Sequence, residues 1–282
     1  MMKELAAEGF TDYAALPLSG GGYRNAITLA TRRADGFTET DVRLLKPVFS
    51  LFALHVERHS ALRISGNALN AYLGLGAATK VLNGSIKRGA GESIHAVIWV
   101  SDLRGFTDLS DRLSGSDMLA LLNAYFEVMA GAVLSQGGEV LKFIGDGLLA
   151  AFPLQDPDQV RAAAGAALAA ARTAMAGLDA LNRDPPGTLA GTGWQPLRAG
   201  IALHEGEVFF GNIGAPERLD FTVIGAAVNE ASRVEALQKT LGRDILITEA
   251  VARHLDVPLD FLGSHSLRGV AVPLAIYTPA AA

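Results

Sequence analysis

Ala96-Val-Ile-Trp-Val-Ser-Asp-Leu-Arg-Gly-Phe-Thr107 and, further on, Lys142-Phe-Ile-Gly-Asp-Gly147 are the two phrases on which the fold of this chain turns. The apolar run Ala96–Val100 predicts a buried strand, and Asp102 stands where that strand runs out. A glycine follows, then a segment over 108–135 with helical spacing of apolar residues. Asp102 therefore sits at a strand-to-helix junction, where backbone N–H groups favour phosphate. The second phrase lies between apolar strands expected near 138–144 and 147–152. Its Gly-Asp-Gly is a hairpin signal that puts Asp146 at the tip. Taken singly, each acid reads more readily as a helix cap or a turn residue. Together they present two carboxylates at strand ends. Those are the few hard oxygen ligands that Mg²⁺ takes when nucleoside triphosphate oxygens complete its shell.

Outward from this core, strands are expected near 94–101, 197–203, 207–212, 219–224, 244–247 and 272–278, and helices near 158–180, 227–239 and 248–254. The order β-α-β-β-α-β with extras predicts an α/β (α+β) sheet covered on one face by helices, ferredoxin-like in its core. Residues 184–195, with two prolines and three glycines, read as an exposed loop. The Ala-rich run Ala162–Leu178, interrupted by Arg172, is too short and too weakly apolar to span a bilayer and reads as a surface helix.

Upstream, Ala14–Leu18 and Asn25–Thr31 flank the turn Ser19-Gly-Gly-Gly22 and predict a hairpin. Thr38 and Thr40 are the caps expected for a long helix over Val42–Ile64, with Pro47 in its first turns. A strand pair feeding a long helix resembles the C-terminal end of a GAF-type sensor domain; the other reading is a dimerising helix with a decorative hairpin. The domain plan is thus a regulatory or dimerising segment at 1–64, a connector at 65–92 made of a short amphipathic helix and a Gly-rich loop, and a catalytic block at 93–282.

Composition bounds the rest. The chain has 282 residues, half of them hydrophobic, a net charge of −5 and no cysteine. A substantial core follows, with no electrostatic pull toward nucleic acid or an anionic membrane. Disulfides and thiolate metal sites are excluded, which fits a reducing compartment. The start Met-Met-Lys-Glu lacks the apolar core of a signal peptide, so a cytoplasmic protein is expected.

A third block runs from Leu197-Arg-Ala-Gly-Ile-Ala-Leu-His through Asp220-Phe-Thr-Val-Ile-Gly-Ala-Ala-Val-Asn-Glu-Ala-Ser-Arg233. Asn229 and Arg233, four apart, share a helix face, and an amide with a guanidinium can grip a ribose oxygen and a phosphate. With the two earlier phrases, this block closely resembles the catalytic domain of the class III nucleotidyl cyclases over roughly residues 92–280. That resemblance implies two Mg²⁺ or Mn²⁺ ions held by Asp102, Asp146 and the carbonyl of Leu103. It implies that backbone groups of Gly105, Phe106 and Thr107 cradle the β- and γ-phosphates. The base-selecting pair falls on Lys142 and Thr222, the transition-state pair on Asn229 and Arg233, and a triphosphate-contacting cation on Arg268. Ala226 stands where bacterial members often carry Asp, and Arg268 replaces the usual Lys, which keeps charge but changes geometry.

The implied reaction is attack of the ribose 3′-hydroxyl of ATP on its α-phosphorus, giving 3′,5′-cyclic AMP and pyrophosphate. Lys142 can only donate and suits adenine N1, and the Thr222 hydroxyl can accept from N6. Guanine presents a donor at N1, which an ammonium opposes. The alternatives are a guanylate cyclase and a catalytically silent cyclase-like module. A diguanylate cyclase would show a Gly-Gly-Asp/Glu-Glu-Phe turn, and here the hairpin reads Ile144-Gly-Asp-Gly-Leu148. Lys142 and Asp146 are four apart on one hairpin, yet base and metal belong at opposite ends of ATP. The resemblance resolves this with a head-to-tail homodimer sharing its sites.

Overall fold

The computed structural model describes residues 2–20, 23–154, 156–190 and 194–280. It divides into a unit ending at Leu69 and a unit beginning at Asn70.

The first unit opens with helix α1 (Met2–Ala7) and an antiparallel hairpin, β1 (Asp12–Gly20) and β2 (Tyr23–Thr31), in register from Asp12↔Thr31 to Gly20↔Tyr23. The middle of the expected Gly-rich turn, 21–22, lies outside the described residues. Helix α2 (Glu39–Leu73) runs on to Leu73 rather than ending near Ile64. Thr38 caps it reciprocally. Its hydroxyl accepts the N–H of Asp41 at 3.2 Å, and the Asp41 carboxylate accepts the N–H of Thr38 at 2.8 Å, the capping-box arrangement. Bonds from Thr38 and then Arg33 hold the Asp41 carboxyl down at about 2. α2 buries none of its residues.

In the second unit the elements are α3 (Leu75–Leu82), β3 (Gly91–Leu103), α4 (Phe106–Ser110), α5 (Gly115–Ser135), β4 (Glu139–Ile144), β5 (Gly147–Leu154), α6 (Val160–Arg183), α7 (Gly187–Ala190), β6 (Ala199–Ala215), β7 (Arg218–Ile224), α8 (Ala226–Ala236), α9 (Gln238–Leu241), β8 (Ile245–Thr248), α10 (Glu249–Ala252), β9 (Leu259–His265) and β10 (Leu274–Pro279). The sheet order is β4-β5-β3-β6-β8-β10-β9, with β7 also on β6. Strand pairs are antiparallel except β6 with β8. This is the mixed α/β fold that the alternation of periods predicts.

Several expectations are corrected in detail. The two strands expected at 197–203 and 207–212 are one strand, β6, because His204-Glu205-Gly206 continues the ladder opposite Ile98-Val97-Ala96 of β3. One edge of β6 serves β3 along its length, while the other divides between β8 and β7. The helix expected over 108–135 is broken into α4 and α5, since Ser114 starts a new helix by accepting the N–H of Asp117 at 3.2 Å. β9 was not expected at all.

Helices cover both faces of the sheet, not one. Val97, Trp99 and Leu103 pack on one side with Leu121, Tyr125 and Met129 of α5 and Ala167, Ala171 and Ala174 of α6. Ala96 and Ile98 pack on the other with Ala77 of α3 and Ala227 and Ala231 of α8. The Ala-rich helix is therefore half core. Small side chains bring it close to the sheet, and Leu168 and Leu178 are buried with them. The exposed loop expected at 184–195 buries Leu189; positions 191–193 lie outside the described residues. Among the described residues, one helix, Gly115–Ser135, is long and apolar enough to cross a membrane. It is the core helix α5.

Trp99 is fully buried at the centre of the larger cluster. Trp99→Ala is expected to cost about 3–5 kcal/mol, read as a lowered denaturant midpoint in chemical unfolding.

Candidate active site

β3 extends through Asp102, which is paired with Gly200 on β6. On its other side, the β4–β5 hairpin closes with Ile144 opposite Gly147. The two-residue loop is therefore Gly145-Asp146, and Gly145 takes φ 62°, which suits a glycine-first hairpin turn. Gly147 has a different reason. A Cβ there would lie 2.9 Å from the Ser101 carbonyl and 3.4 Å from an Asp102 carboxylate oxygen. The bare backbone lets the hairpin close down on the strand end.

The result brings Asp102 and Asp146 together within hydrogen-bonding range. Burial first, and then the charge of Asp146, push the Asp102 carboxyl up to about 6, while Lys239 acts in the opposite sense. A third acid joins them. Glu235 of α8 lines the same cleft as Asp102, Ile144, Gly147, Val228 and Ser232. Burial and then Asp102 push it up to about 7. Sequence reading stopped at Arg233 and missed it, although Val228, Ser232 and Glu235 recur at helical spacing and form one stripe. Asp102 and Asp146 are hard oxygen donors whose mutual repulsion a cation relieves, which suits Mg²⁺ or Mn²⁺; among the described residues no three acids or histidines gather closely enough to hold a metal by themselves.

The chain then leaves β3 through Arg104 and Gly105, with Gly105 at φ 74° just before α4. Phe106 packs on the core and leaves the first-turn N–H groups of 105–107 without intrahelical acceptors.

α8 is set on the sheet by close approach. A Cβ on Gly206 would meet the Ala227 methyl at 2.7 Å, and Ala231 and Val234 are buried below. Buried His204 on β6 bonds Glu230 of α8 at 3.0 Å and the Thr248 hydroxyl at 2.9 Å. This fixes the helix that carries Asn229, which is exposed, and Arg233. The Arg233 guanidinium lies against Gly269, where a Cβ would stand 3.4 Å from it. The exposed Arg268 comes between Gly269 and the buried Leu267 in the chain.

Lys142 follows a bulge in β4, where the register shifts between Val140 and Lys142. Bulges at sheet edges re-aim side chains. Its ammonium is ion-paired with Asp220 of β7. Thr222, half-buried, lies two residues along β7 opposite Gly211. The structure therefore brings Asp102 to Asp146, Lys142 to the strand of Thr222, and Arg233 to the loop at Gly269, one residue after Arg268. Leu103 is buried beside the first.

Residues 92–274 match the family model described as the adenylate and guanylate cyclase catalytic domain. The chain belongs to this family. An adenylate cyclase of Anabaena cylindrica is 37% identical over 177 residues, covering 63% of this chain and 34% of that protein. Among solved structures, the adenylyl cyclase CyaB from P. aeruginosa is 27% identical with a TM-score of 0.60, over 68% of this chain and 96% of that one. The guanylyl cyclase Cya2 is 31% identical with a TM-score of 0.56, over 66% of this chain and 92% of that one. The cyclase chain thus spans about a third of the length of its Anabaena relative.

In the metal-free cyclase domain the carboxylate pair is a source of instability. The folded pKa of Asp102 lies above its unfolded value, so the folded state holds the proton more tightly and stability is lost as pH rises from about 4 to 6. Asp102→Asn is expected to raise the Tm of chelator-treated protein at pH 8 and to leave it unchanged at pH 4. After discounting for solvent screening, the gain is about 1 kcal/mol. Thermal melts at the two pH values check it.

Proposed function

We propose that the chain is an adenylate cyclase that converts ATP to 3′,5′-cyclic AMP and pyrophosphate at sites shared by two copies of the chain. The observation that carries this reading is the Asp102–Asp146 pair, two acids from separate strand ends held beside each other, with Asp102 in the wall of a cleft. Asp102, Asp146 and the Leu103 carbonyl would hold two divalent cations. When bound, these supply Lewis-acid activation of the ribose hydroxyl and neutralise the triphosphate.

The remaining work falls to the chain itself. The first turn of α4, at Gly105, Phe106 and Thr107, takes the β- and γ-phosphates on its N–H groups. Arg268 adds a cation to the triphosphate. Arg233 stabilises charge that develops on the α-phosphate, and Asn229 orients the ribose. Lys142 donates to adenine N1 and Thr222 accepts from N6.

Support for the dimer comes from the surface. Phe143, Ile144 and Ile224 are 49%, 58% and 50% exposed and flank Lys142, Asp146 and Thr222 with apolar side chains that a partner would cover. Each site would draw Asp102 and Asp146 from one copy and Lys142, Thr222, Asn229 and Arg233 from the other. Residues 1–64 are the regulatory or dimerising segment of this reading and 65–92 the connector. The bare apolar residues Leu44, Leu51 and Leu54 of α2 support a covering partner there. The absence of cysteine suits work in the cytoplasm.

A second reading, guanylate cyclase, is favoured by the 31% identity to Cya2. Lys142 argues against it, since an ammonium facing guanine N1–H leaves two donors opposed, at a penalty of about 1–3 kcal/mol.

Product identification from ATP and GTP in parallel separates the readings; cyclic AMP is expected to dominate, and cyclic GMP as the main product would overturn the assignment. The shared site has its own test. Asp102→Ala and Arg233→Ala are each expected to be inactive. Mixed in equal amounts, they should regain about a quarter of wild-type activity, because half the dimers carry one intact site. A mixture that exchanges subunits and stays silent would exclude the shared-site dimer.

A further inference from the structure

Arg104 is the single residue between the end of β3 at Leu103 and the turn that opens at Gly105. Its backbone N–H donates to the Arg198 carbonyl at 2.7 Å. Its guanidinium donates to the Arg243 carbonyl at 2.6 Å and meets the Asp244 carboxylate at 3.2 Å. The side chain is only 17% accessible, and its Nε–H is buried with no acceptor among the described residues. Buried donors are ordinarily satisfied, so the contacts at the far end of the guanidinium dictate its pose. The anchor they reach is firmly built. The Asp244 carbonyl accepts the N–H of Ile201 at 2.8 Å and the side-chain amide of Gln238 at 3.4 Å. Gln238 is buried against Gly200, and the next residue, Ile245, opens β8 in register with Ile201. What Arg104 holds has little support of its own. α4 has five residues and buries none of them, and a helix that short does not stand alone. Gly105 ahead of it, at φ 74°, is a soft joint.

We propose that Arg104 is a positioning residue for the triphosphate, a latch that ties the turn Gly105–Thr107 to the start of β8; this rests on the cyclase reading above. Main-chain N–H groups grip a phosphate only when they point at it, and a loose turn must be ordered at the moment of binding. The latch orders it beforehand. Arginine suits the task because its planar fork meets a carbonyl and a carboxylate together, which the point charge of a lysine does not. The guanidinium acts through the main chain of its neighbours rather than by touching the nucleotide. Asp244 is the other half of the device, and its carbonyl carries the strain into β6 and the buried Gln238.

The test uses the full chain and three measurements. Steady-state rates with ATP give KM and kcat. Equilibrium binding with Mg²⁺ compares inorganic tripolyphosphate, which probes the turn, with 3′-deoxyadenosine, which probes base and ribose. Amide hydrogen exchange at residues 105–107 reads the order of the turn directly. Arg104→Met is expected to raise KM for ATP and Kd for tripolyphosphate about tenfold, with kcat and the Kd for 3′-deoxyadenosine within about twofold of wild type. Exchange at 105–107 should quicken about tenfold while β3 stays protected. Asp244→Asn keeps the cation and weakens the latch, so it should move the same readings about threefold. Arg104→Lys should fall between Arg104→Met and wild type. Asp244→Asn should add nothing in an Arg104→Met background, since both break one contact. Unchanged exchange at 105–107 in Arg104→Met would overturn the inference, and with weakened tripolyphosphate it would mean that the guanidinium binds phosphate itself. Equal loss of both probes with a lowered Tm would overturn it too, as general damage to the fold. A wild type that makes no cyclic nucleotide, yet shows the exchange and tripolyphosphate effects, would sink the cyclase reading and leave the latch standing.

Discussion

The ladder between β3 and β6, from Gly91↔Gly211 to Leu103↔Ala199, is the constraint on which the catalytic unit rests. Backbone hydrogen bonds fix the distance and phase of the two strands along its whole length. At one end it presents Asp102. Toward the other, Gly211 pairs with both Gly91 and Thr222, so the strand that carries Asp220 and Thr222 is built on the same rail. The approach there is close: a Cβ on Gly211 would meet the Gly91 Cα at 2.7 Å. The Asp102 end and the Thr222 end are thus set by one continuous element, and β6 links them.

Against this rigid frame the site is electrostatically uncomfortable. Asp102 and Glu235 line one part-buried cleft with Asp146 beside Asp102, and burial and neighbouring negative charge push the first two carboxyls up to about 6 and about 7. Such strain is the ordinary signature of a site shaped for something the free protein lacks. The opposite treatment is given to His204 and Glu230. His204 is buried and Glu230 part-buried, with the Thr248 hydroxyl on the other ring nitrogen, and the pair holds α8 in place. Two sets of ionisable groups on neighbouring strands therefore answer to different demands, one to ligand and one to scaffold.

How much of this was legible in the sequence depended on the range of the causes. The hairpin at Asp146 could be read because its determinants are local: a left-handed glycine and flanking apolar alternation. The strand through Trp99 was equally plain, as an apolar run with an acid at its end. β6 was read as two strands because Glu205-Gly206-Glu207 looks like a turn when its partner is unknown; thirteen residues of β3 alongside override that local preference. β9 escaped because Leu259-Asp-Phe-Leu-Gly-Ser-His carries a glycine and polar residues, and only β10 beside it defines it. Helices on the second face of the sheet were missed because Ala77, Ala227 and Ala231 are too small to announce a packing surface. Asp220 and Glu235 were passed over for the same kind of reason. Neither departs from its local pattern, and each gains meaning from a residue far away in the chain.

Contact between Gly206 and Ala227 limits how α8 can move. With a hydrogen atom on one side and a methyl on the other, helix and strand are already at their distance of closest approach. A roll of α8 about its own axis would replace Ala227 at that contact with the larger Ala226 neighbour Val228 and lift the helix from the sheet. Asn229 and Arg233 are therefore geared to β6, and cannot be re-aimed while the strand stays still. Moving those two residues means moving helix and strand together, as a clutch shifts a whole plate, rather than turning a single key.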